Sequence, residues 1–337
     1  MNEKVLRETA LAMVAPGKGI LAADESTGTI EKRLKSISVE NSEANRQAYR
    51  DMLFTTPGFE QYTSGVILFE ETLFQKALDG TPFPKLLESK GVIPGIKVDK
   101  GAKDLAGAPG ETITEGLDGL RERLVKYREA GARFAKWRAV ITIGNGIPTD
   151  YCIHTNAHAL ARYAALCQEA GIVPIVEPEV LMDADNTIEV CEDVTNRTLA
   201  AVFRELSLQN VLLEGMILKP NMVISGKKCA TQADRKAVAA ATVRTLKRHV
   251  PGAVPGIAFL SGGQSDEDAT AHLDEMNKLG ALPWKLTFSY GRALQAAALK
   301  AWGGKNVDAG KKAHLHRAKM NGLAAKGEWS PAQEKAA

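Results

Sequence analysis

The sequence predicts a single-domain (β/α)8 TIM barrel, an α/β fold in which eight parallel strands alternate with helices. Eight short apolar runs recur at intervals of roughly 25–45 residues with helical segments between them, which indicates βαβ units and a parallel sheet. The length of 337 residues suits one such barrel. A doubly wound sheet is the alternative, but neither its glycine-rich fingerprint nor a P-loop motif is present.

Each predicted strand is an apolar run that ends at a turn or at a charged residue. In chain order the predicted strands are 19–24, 65–69, 92–98, 134–140, 172–177, 213–219, 256–261 and 284–289. Between them, apolar residues with a helical period predict helices over 115–130, 155–170, 187–206, 233–249 and 266–279. We expect residues 1–325 to form one catalytic domain that begins with an amphipathic helix, and residues 326–337 to form a short, loosely attached C-terminal tail.

The composition excludes several classes of protein. Hydrophobic residues make up 45% of the chain and charged residues 25%, which is typical of a globular protein with a full core. The net charge is only +3 and no long Lys/Arg run occurs, so we expect no nucleic-acid partner. We also expect no membrane association, because the chain has neither an apolar signal segment nor a stretch of about 20 apolar residues. The four cysteines form no Cys-x-x-Cys pair, which indicates reduced thiols and a cytoplasmic protein, and the six scattered histidines predict neither a metal site nor another cofactor.

Charged and polar residues stand at the predicted strand ends, which converge on one mouth in a barrel. In order, they are Asp24, Glu70 or Glu71, Asp99, Lys100, Lys136, Arg138, Glu177, Glu179, Lys219, Ser261 and Ser289. Side chains two apart on a strand share a face, so Lys136 points with Arg138 and Glu177 points with Glu179. A structural salt bridge would explain one such pair. Several buried charges on one sheet are costly to desolvate and favour a functional site.

Lys219 ends the apolar run 216–218, and Pro220 stops the strand immediately after it. Burial disfavours a charged ammonium group and so favours a neutral amine, which can condense with a carbonyl group. A lysine that reaches the solvent is the alternative interpretation of this residue alone. Lys136 next to it would repel its charge, and Glu177 and Glu179 offer the acid and base that imine formation needs. Asp24, across the mouth, could accept a proton from a substrate hydroxyl.

Two glycine-containing segments predict phosphate binding, although each would also serve as a tight turn. Residues 261–265 (Ser-Gly-Gly-Gln-Ser) follow the seventh strand, and residues 289–292 (Ser-Tyr-Gly-Arg) follow the eighth, where barrels of this kind commonly bind phosphate. The guanidinium of Arg292 can bind a phosphate with two hydrogen bonds. Lys100, together with Lys32 and Arg33, could bind a second anion.

Seven motifs, in order, resemble those of class I fructose-1,6-bisphosphate aldolases. They are 21–26 (LAADES), 98–101 (VDKG), 134–138 (FAKWR), 176–179 (VEPE), 218–222 (LKPNM), 259–265 (FLSGGQS) and 288–295 (FSYGRALQ). The resemblance extends from the first helix to about residue 304.

The resemblance implies a (β/α)8 barrel and a reversible, metal-independent cleavage of fructose 1,6-bisphosphate to dihydroxyacetone phosphate and glyceraldehyde 3-phosphate. By this resemblance Lys219 forms a Schiff base with the ketose, Glu177 is the acid and base for imine formation, and Asp24 takes the C4 hydroxyl proton. Lys136 and Glu179 match residues that position and tune these groups, and Arg138 matches another pocket residue.

The resemblance also implies how the substrate is bound and where the enzyme works. The residues that match the C1-phosphate site, with Ser289 beside them, are Ser261, Gly262, Gly291 and Arg292. Those that match the C6-phosphate region are Ser26, Thr29, Lys32, Arg33 and Lys100. Members of the family are commonly homotetramers that act in glycolysis and gluconeogenesis, so we expect a cytoplasmic homotetramer whose partner is a small phosphosugar.

Two departures from the family pattern stand out. Thr29 replaces the usual serine but keeps the hydroxyl, so we expect little change. Many members end in a tyrosine on a mobile tail that assists proton exchange at C3 of the enamine. Here the last tyrosine is Tyr290 and the final residues are Glu-Lys-Ala-Ala, so we expect this step to differ.

Other interpretations of the same residues stay open at this point. A transaldolase-like Schiff-base lyase would need only one phosphate site, whereas this chain offers two basic regions. A phosphosugar isomerase could use Glu177 as a base without covalent chemistry, and a binding protein could have lost catalysis. The sequence does not choose between fructose 1,6-bisphosphate, fructose 1-phosphate and sedoheptulose bisphosphate.

Overall fold

Eight parallel strands close into a barrel in the computed structural model, which describes residues 2–335. The strands of this part of the chain are β1 Gly19–Ala23, β2 Thr63–Leu68, β3 Ile93–Lys97, β4 Ala102–Asp104, β5 Thr112–Thr114, β6 Phe134–Ile141, β7 Val173–Val180, β8 Ile217–Leu218, β9 Gly256–Phe259 and β10 Lys285–Tyr290. Around the barrel the order is β1-β10-β9-β8-β7-β6-β3-β2, whereas β4 and β5 form an antiparallel hairpin outside it. The predicted fold is therefore confirmed.

Helices surround the barrel and close one of its ends. They are α1 Glu3–Met13, α2 Thr27–Lys35, α3 Glu43–Phe54, α4 Glu70–Phe74, α5 Phe83–Ser89, α6 Leu120–Glu129, α7 Asp150–Glu169, α8 Ile188–Leu208, α9 Arg235–His249, α10 Asp266–Asn277, α11 Arg292–Trp302, α12 Val307–Ala324 and α13 Pro331–Glu334. No helix within residues 2–335 is long and apolar enough to cross a lipid bilayer.

Several predicted boundaries differ from those observed. Helix α6 begins at Leu120 rather than at residue 115, because Gly119 before it has the left-handed φ of +65°. Helix α7 begins at Asp150, five residues earlier than predicted (155 − 150), because the Thr149 side chain caps it by accepting a hydrogen bond from the Cys152 N–H. The predicted strand 213–219 is wrong in its first half, where a 3₁₀ turn spans Leu213–Gly215. An apolar run does not by itself distinguish a strand from a buried turn.

Apolar side chains fill the barrel interior at its N-terminal end. Helix α1 packs there through Leu6 and Met13, which join a cluster with the inward-facing side chains of the strands. The Phe134 ring lies so close to the neighbouring strand that a Cβ at Gly95 would be 2.2 Å from it. Glycine is therefore required at this position, and the apolar filling leaves only the opposite end of the barrel open for polar chemistry.

The C-terminal residues pack against the barrel, so the expectation of a loosely attached tail is wrong for residues 326–335. Trp329 is 5% exposed, and its backbone N–H donates to Asp274 Oδ1 at 2.9 Å. Glu334 Oε2 lies 2.6 Å from Arg317 Nη1, and Glu334 Oε1 accepts from the Trp329 indole. Residues 336 and 337 of the predicted tail lie outside the described residues. The division of the chain at residue 325 stays a prediction.

Candidate active site

A cavity of about 630 Å³ opens at the C-terminal ends of the barrel strands. The residues to which the sequence analysis gave a catalytic or substrate-binding role all line it. They are Asp24, Ser26, Thr29, Lys32, Arg33, Lys100, Lys136, Arg138, Glu177, Glu179, Lys219, Ser261, Gly262, Ser289, Gly291 and Arg292. The structure thus brings the predicted catalytic and binding residues together, and the role of each stays a prediction.

Four charged side chains form the centre of the cavity. The Lys136 ammonium lies 2.7 Å from Asp24 Oδ2 and 3.6 Å from Glu177 Oε2. The Lys219 Nζ lies 3.2 Å from the other oxygen of Glu177. Both lysines are only 4% exposed. A single carboxylate therefore bridges the two amino groups, out of contact with bulk solvent.

The strands hold these side chains in place through packing and backbone hydrogen bonds. Trp137 is fully buried on the outer face of β6 against Tyr163, so Lys136 and Arg138 on either side of it point inward. The Lys219 N–H donates to the Val176 carbonyl of β7 at 2.8 Å, which fixes the backbone of Lys219 in register beside Glu177. Pro220 then ends the strand because it lacks an N–H group.

At the centre of the cavity, neighbouring opposite charges change the pKa values more than burial does. Burial alone would raise the pKa of Asp24, but Lys136 and Lys219 together hold it well below its usual range. Burial alone would lower the pKa of Lys136, but Asp24, Glu177 and Asp99 raise it above the usual value for lysine. Asp24 is therefore a carboxylate and Lys136 an ammonium at neutral pH.

Two buried oxygens at the cavity have no hydrogen-bond partner within residues 2–335. They are Glu177 Oε2 and Ser289 Oγ. A buried polar atom without a partner is costly, so such atoms in a cavity mark places where a ligand can bond. Glu179, in contrast, is paired with Arg138. Glu177 thus keeps one oxygen available for a ligand, while Glu179 holds the guanidinium of Arg138.

Both predicted phosphate segments meet the cavity at the start of helices. Gly262 has the left-handed φ of +57°, and Gly291 is the N-cap of α11, which begins at Arg292. On the other side, Ser26 is the N-cap of α2, and its Oγ lies 3.2 Å from Thr29 Oγ1. Hydroxyl groups and free backbone N–H groups at helix starts suit anions.

Arg33 lies closer to the segment 289–292 than the sequence indicated. Its guanidinium pairs with the buried Glu25, which also lies 2.8 Å from Arg50 Nη2. One of its nitrogens is 3.8 Å from the position that a Cβ would take at Gly291. Arg33 therefore faces the end of the cavity that contains Gly291 and Arg292.

The strand-end pattern selected two residues that lie elsewhere and failed to select Lys97, which lines the cavity. Glu70 and Glu71 are in α4 and do not line it, since Glu70 accepts from the Tyr127 hydroxyl and Glu71 pairs with Arg46. Asp99, which the pattern did select, lines the cavity together with Lys97, which it did not select.

The spacing between Lys97 and Asp99 is the signal that could have found Lys97. The two residues are two apart at the end of β3, the same spacing as Lys136 and Arg138 on β6.

Comparison with known proteins agrees with this geometry. The chain matches the family described as "Fructose-bisphosphate aldolase class-I" over residues 5–337. It is 61% identical to "Probable fructose-bisphosphate aldolase class 1" of Xanthomonas campestris pv. campestris over 98% of this chain and 99% of the relative. It is 60% identical to "Fructose-bisphosphate aldolase 4, cytosolic" of Arabidopsis thaliana over 93% of this chain and 80% of the relative.

A solved structure is similar over nearly the whole fold. It is the fructose-bisphosphate aldolase of Plasmodium falciparum, crystallised in complex with TRAP and a small-molecule inhibitor. The TM-score is 0.96 at 52% sequence identity, and the match covers 97% of this chain and 95% of that one. With the family match across almost all residues, the chain belongs to the class-I fructose-bisphosphate aldolase family.

Proposed function

We propose that Lys219 is the residue of this class-I aldolase that forms the Schiff base, and that the substrate is fructose 1,6-bisphosphate. The observation that carries the proposal is the buried contact of 3.2 Å between Lys219 Nζ and Glu177 Oε1. One proton transfer across this contact leaves a neutral amine and a neutral carboxylic acid. These are the nucleophile and the general acid that imine formation requires.

The covalent steps follow from this pair. The Lys219 amine attacks the C2 ketone and forms a carbinolamine. Glu177 donates a proton to the departing hydroxyl, which leaves as water, and a protonated imine remains. Asp24 then takes the C4 hydroxyl proton as the C3–C4 bond breaks. The bonding electrons move to the imine and give an enamine, while glyceraldehyde 3-phosphate departs. Protonation at C3 and hydrolysis of the imine release dihydroxyacetone phosphate and restore Lys219.

The ionisation of the central groups suits these steps. Asp24 is ionised because Lys136 and Lys219 hold its pKa low, so it can accept a proton. Lys136, 2.7 Å from Asp24, remains an ammonium and stabilises negative charge that develops on the C4 oxygen before the proton is transferred.

The two phosphates would occupy opposite ends of the cavity. We assign the C1 phosphate to the loop 261–265 and to Ser289, Gly291 and Arg292. The C6 phosphate would meet Lys100 and the start of α2, where Ser26 and Thr29 present hydroxyl groups and Lys32 follows. Arg33, which the resemblance places in the same region, faces Gly291 instead and would contact the C1 phosphate. Two anion-binding regions in one cavity favour a bisphosphate over a monophosphate. Comparative turnover of fructose 1,6-bisphosphate, fructose 1-phosphate and sedoheptulose bisphosphate tests this choice, and equal turnover of the first two would contradict it.

Replacing Arg292 with alanine is expected to raise KM for fructose 1,6-bisphosphate by about 10–100-fold, because a charge-assisted hydrogen bond to phosphate is worth about 1.5–3 kcal/mol. The effect on kcat should be smaller, since Arg292 does not contact the reacting carbons in this assignment. Steady-state kinetics measures both constants. Arg162→Ala, at an exposed arginine of α7 away from the cavity, is the control and should leave KM unchanged. An unchanged KM in Arg292→Ala would exclude Arg292 from the phosphate site.

Treatment with EDTA is expected to leave turnover unchanged, because the protonated imine on Lys219 supplies the positive charge that draws electrons from the C3–C4 bond. Turnover before and after exhaustive dialysis against EDTA measures this. A loss of activity that added divalent metal restores would contradict the metal-independent mechanism.

We further propose that the enzyme is a cytoplasmic homotetramer that serves glycolysis and gluconeogenesis. The names of the plant relatives, which describe cytosolic enzymes, support the location. The subunit number is supported by the homotetramers that are common in the family. Sedimentation equilibrium tests the latter, and a monomer at micromolar concentration would contradict it.

A further inference from the structure

Asp99 is a buried carboxylate at the edge of the candidate active site. It follows β3, and its side chain is only 3% exposed. Its Oδ1 accepts from Lys97 Nζ at 2.7 Å and from the Gly101 N–H at 3.2 Å. Its Oδ2 accepts from the Arg138 N–H at 3.4 Å and lies 3.8 Å from Lys136 Nζ. Four donors therefore surround this one carboxylate, which is about as many as two carboxylate oxygens can accept.

The local chain conformation builds this environment. The Val98 N–H donates to the Lys136 carbonyl at 3.0 Å, which ties the end of β3 to β6. Gly101 has a φ of +95°, which turns the chain so that its N–H faces Asp99. Lys97 also donates to the Asp99 carbonyl at 2.8 Å, so its ammonium is held beside the cavity. Asp99 thus fixes two lysines, Lys97 on its own strand and Lys136 on the next.

Three carboxylates surround the Lys136 ammonium, and they differ in whether they gain a proton during the reaction. In the proposed mechanism, on which this inference rests, Asp24 and Glu177 each gain a proton during the cycle. Each loses its negative charge at that moment and holds Lys136 less strongly. Asp99 has no such role, and its donors include one other ammonium and two backbone N–H groups. Its charge therefore stays in place when the other two are neutralised.

We infer that Asp99 is a positioning residue that keeps Lys136 charged and keeps Lys136 and Lys97 aimed into the cavity throughout the catalytic cycle. It acts through the lysines and not on the sugar itself. All charged groups that face Lys136 enter the argument: Asp24 after β1, Lys97 and Asp99 at the end of β3, Arg138 on β6, Glu177 on β7 and Lys219 after β8. Glu177 also contacts two lysines, Lys136 and Lys219, but it exchanges protons in the proposed mechanism. Asp99 contacts Lys136 and Lys97 and takes no part in the proton transfers.

The test is the pH profile of kcat in the variant Asp99→Asn, which keeps the shape of the side chain and removes its charge. With one fewer carboxylate beside it, the Lys136 ammonium loses its proton more readily. The decrease of kcat at high pH should therefore begin at a lower pH than in the wild type. We expect the basic limb of kcat to move down by at least about one pH unit, and kcat at neutral pH to fall roughly 10-fold or more. KM should change less than kcat. Asp99→Glu, which restores the charge, should recover part of the wild-type profile.

Glu111→Gln is the matched control. Glu111 is 2% exposed, accepts from the Thr149 N–H and hydroxyl at 2.7 and 2.6 Å, and does not line the cavity. Its loss should lower thermal stability and leave the pH profile unchanged. If Asp99→Asn does not fold, the double variant Lys97→Met/Asp99→Asn removes the unpaired lysine as well and should show the same shifted limb.

Trapping with dihydroxyacetone phosphate and borohydride separates this inference from the proposed function. If Lys219 is labelled in the wild type and in Asp99→Asn, but the basic limb of kcat does not move, the role inferred for Asp99 is wrong and the proposed mechanism is not contradicted. If Glu111→Gln shifts the limb equally, the effect comes from general destabilisation and the inference is also wrong. If Lys219 is not labelled in the wild type, the proposed function fails first.

Discussion

Lys219→Ala abolishes turnover of fructose 1,6-bisphosphate if Lys219 forms the Schiff base. The loss should be about 10⁶-fold in kcat, the scale found when a covalent nucleophile is removed from an enzyme. The physical reason is that Lys136, which also lies near Glu177 at 3.6 Å, cannot replace Lys219, because it is paired with Asp24 and is kept protonated by the carboxylates around it. A coupled assay for glyceraldehyde 3-phosphate measures the loss.

Two further variants separate chemistry from folding. Lys219→Met keeps most of the side-chain volume in this 4% exposed position and should be equally inactive while unfolding at a temperature close to that of the wild type. Lys103→Ala, at an exposed lysine of β4 outside the cavity lining, should retain full turnover. Residual activity above about 1% in a folded Lys219→Ala protein would contradict the assignment.

Asp24→Asn is expected to lower kcat for cleavage by about 10²–10⁴-fold, the usual contribution of a general base. Asparagine can still accept a hydrogen bond from Lys136 but cannot take the C4 hydroxyl proton. Imine formation with dihydroxyacetone phosphate should survive, because that ketone has no C4 hydroxyl and its condensation depends on Lys219 and Glu177. The measurement compares steady-state cleavage with single-turnover imine formation in the same variant.

The exposed Asp104 of β4 provides the control for this experiment. Asp104→Asn should behave as the wild type in both assays. If Asp24→Asn lost imine formation as completely as cleavage, Asp24 would be needed for the central charge balance and not as the base for C–C cleavage.

The barrel could be predicted because its strands are buried on both faces and therefore form distinct apolar runs. Short elements gave no such signal. Strand β8 has two residues, and the hairpin β4–β5 lies outside the barrel with three exposed residues in β4. The hairpin is held by tertiary contacts: the hydroxyl of Thr114 in β5 donates to the Arg138 carbonyl of β6 at 2.7 Å. Such contacts join residues far apart in sequence.

The centre of the candidate site was predictable for a different reason. Lys136 and Glu177 interrupt apolar strands, and a charge in such a place must have a partner or a function. Lys97 also lines the cavity, but Val98 follows it, so the predicted strand continues past Lys97 in the sequence. The packing of residues 326–335 was unpredictable because it depends on contacts such as Trp329 with Asp274 and Glu334 with Arg317, which join segments that have no periodic pattern in common.

The measurement that tests the central claim most directly is reductive trapping. The protein is incubated with dihydroxyacetone phosphate, reduced with borohydride, digested, and mapped by mass spectrometry. We predict one added mass per chain, on the peptide that contains Lys219, and none in Lys219→Met. A label on another lysine would contradict the assignment of the nucleophile, and a fully active protein without any label would contradict the covalent mechanism in favour of non-covalent chemistry with Glu177 as base.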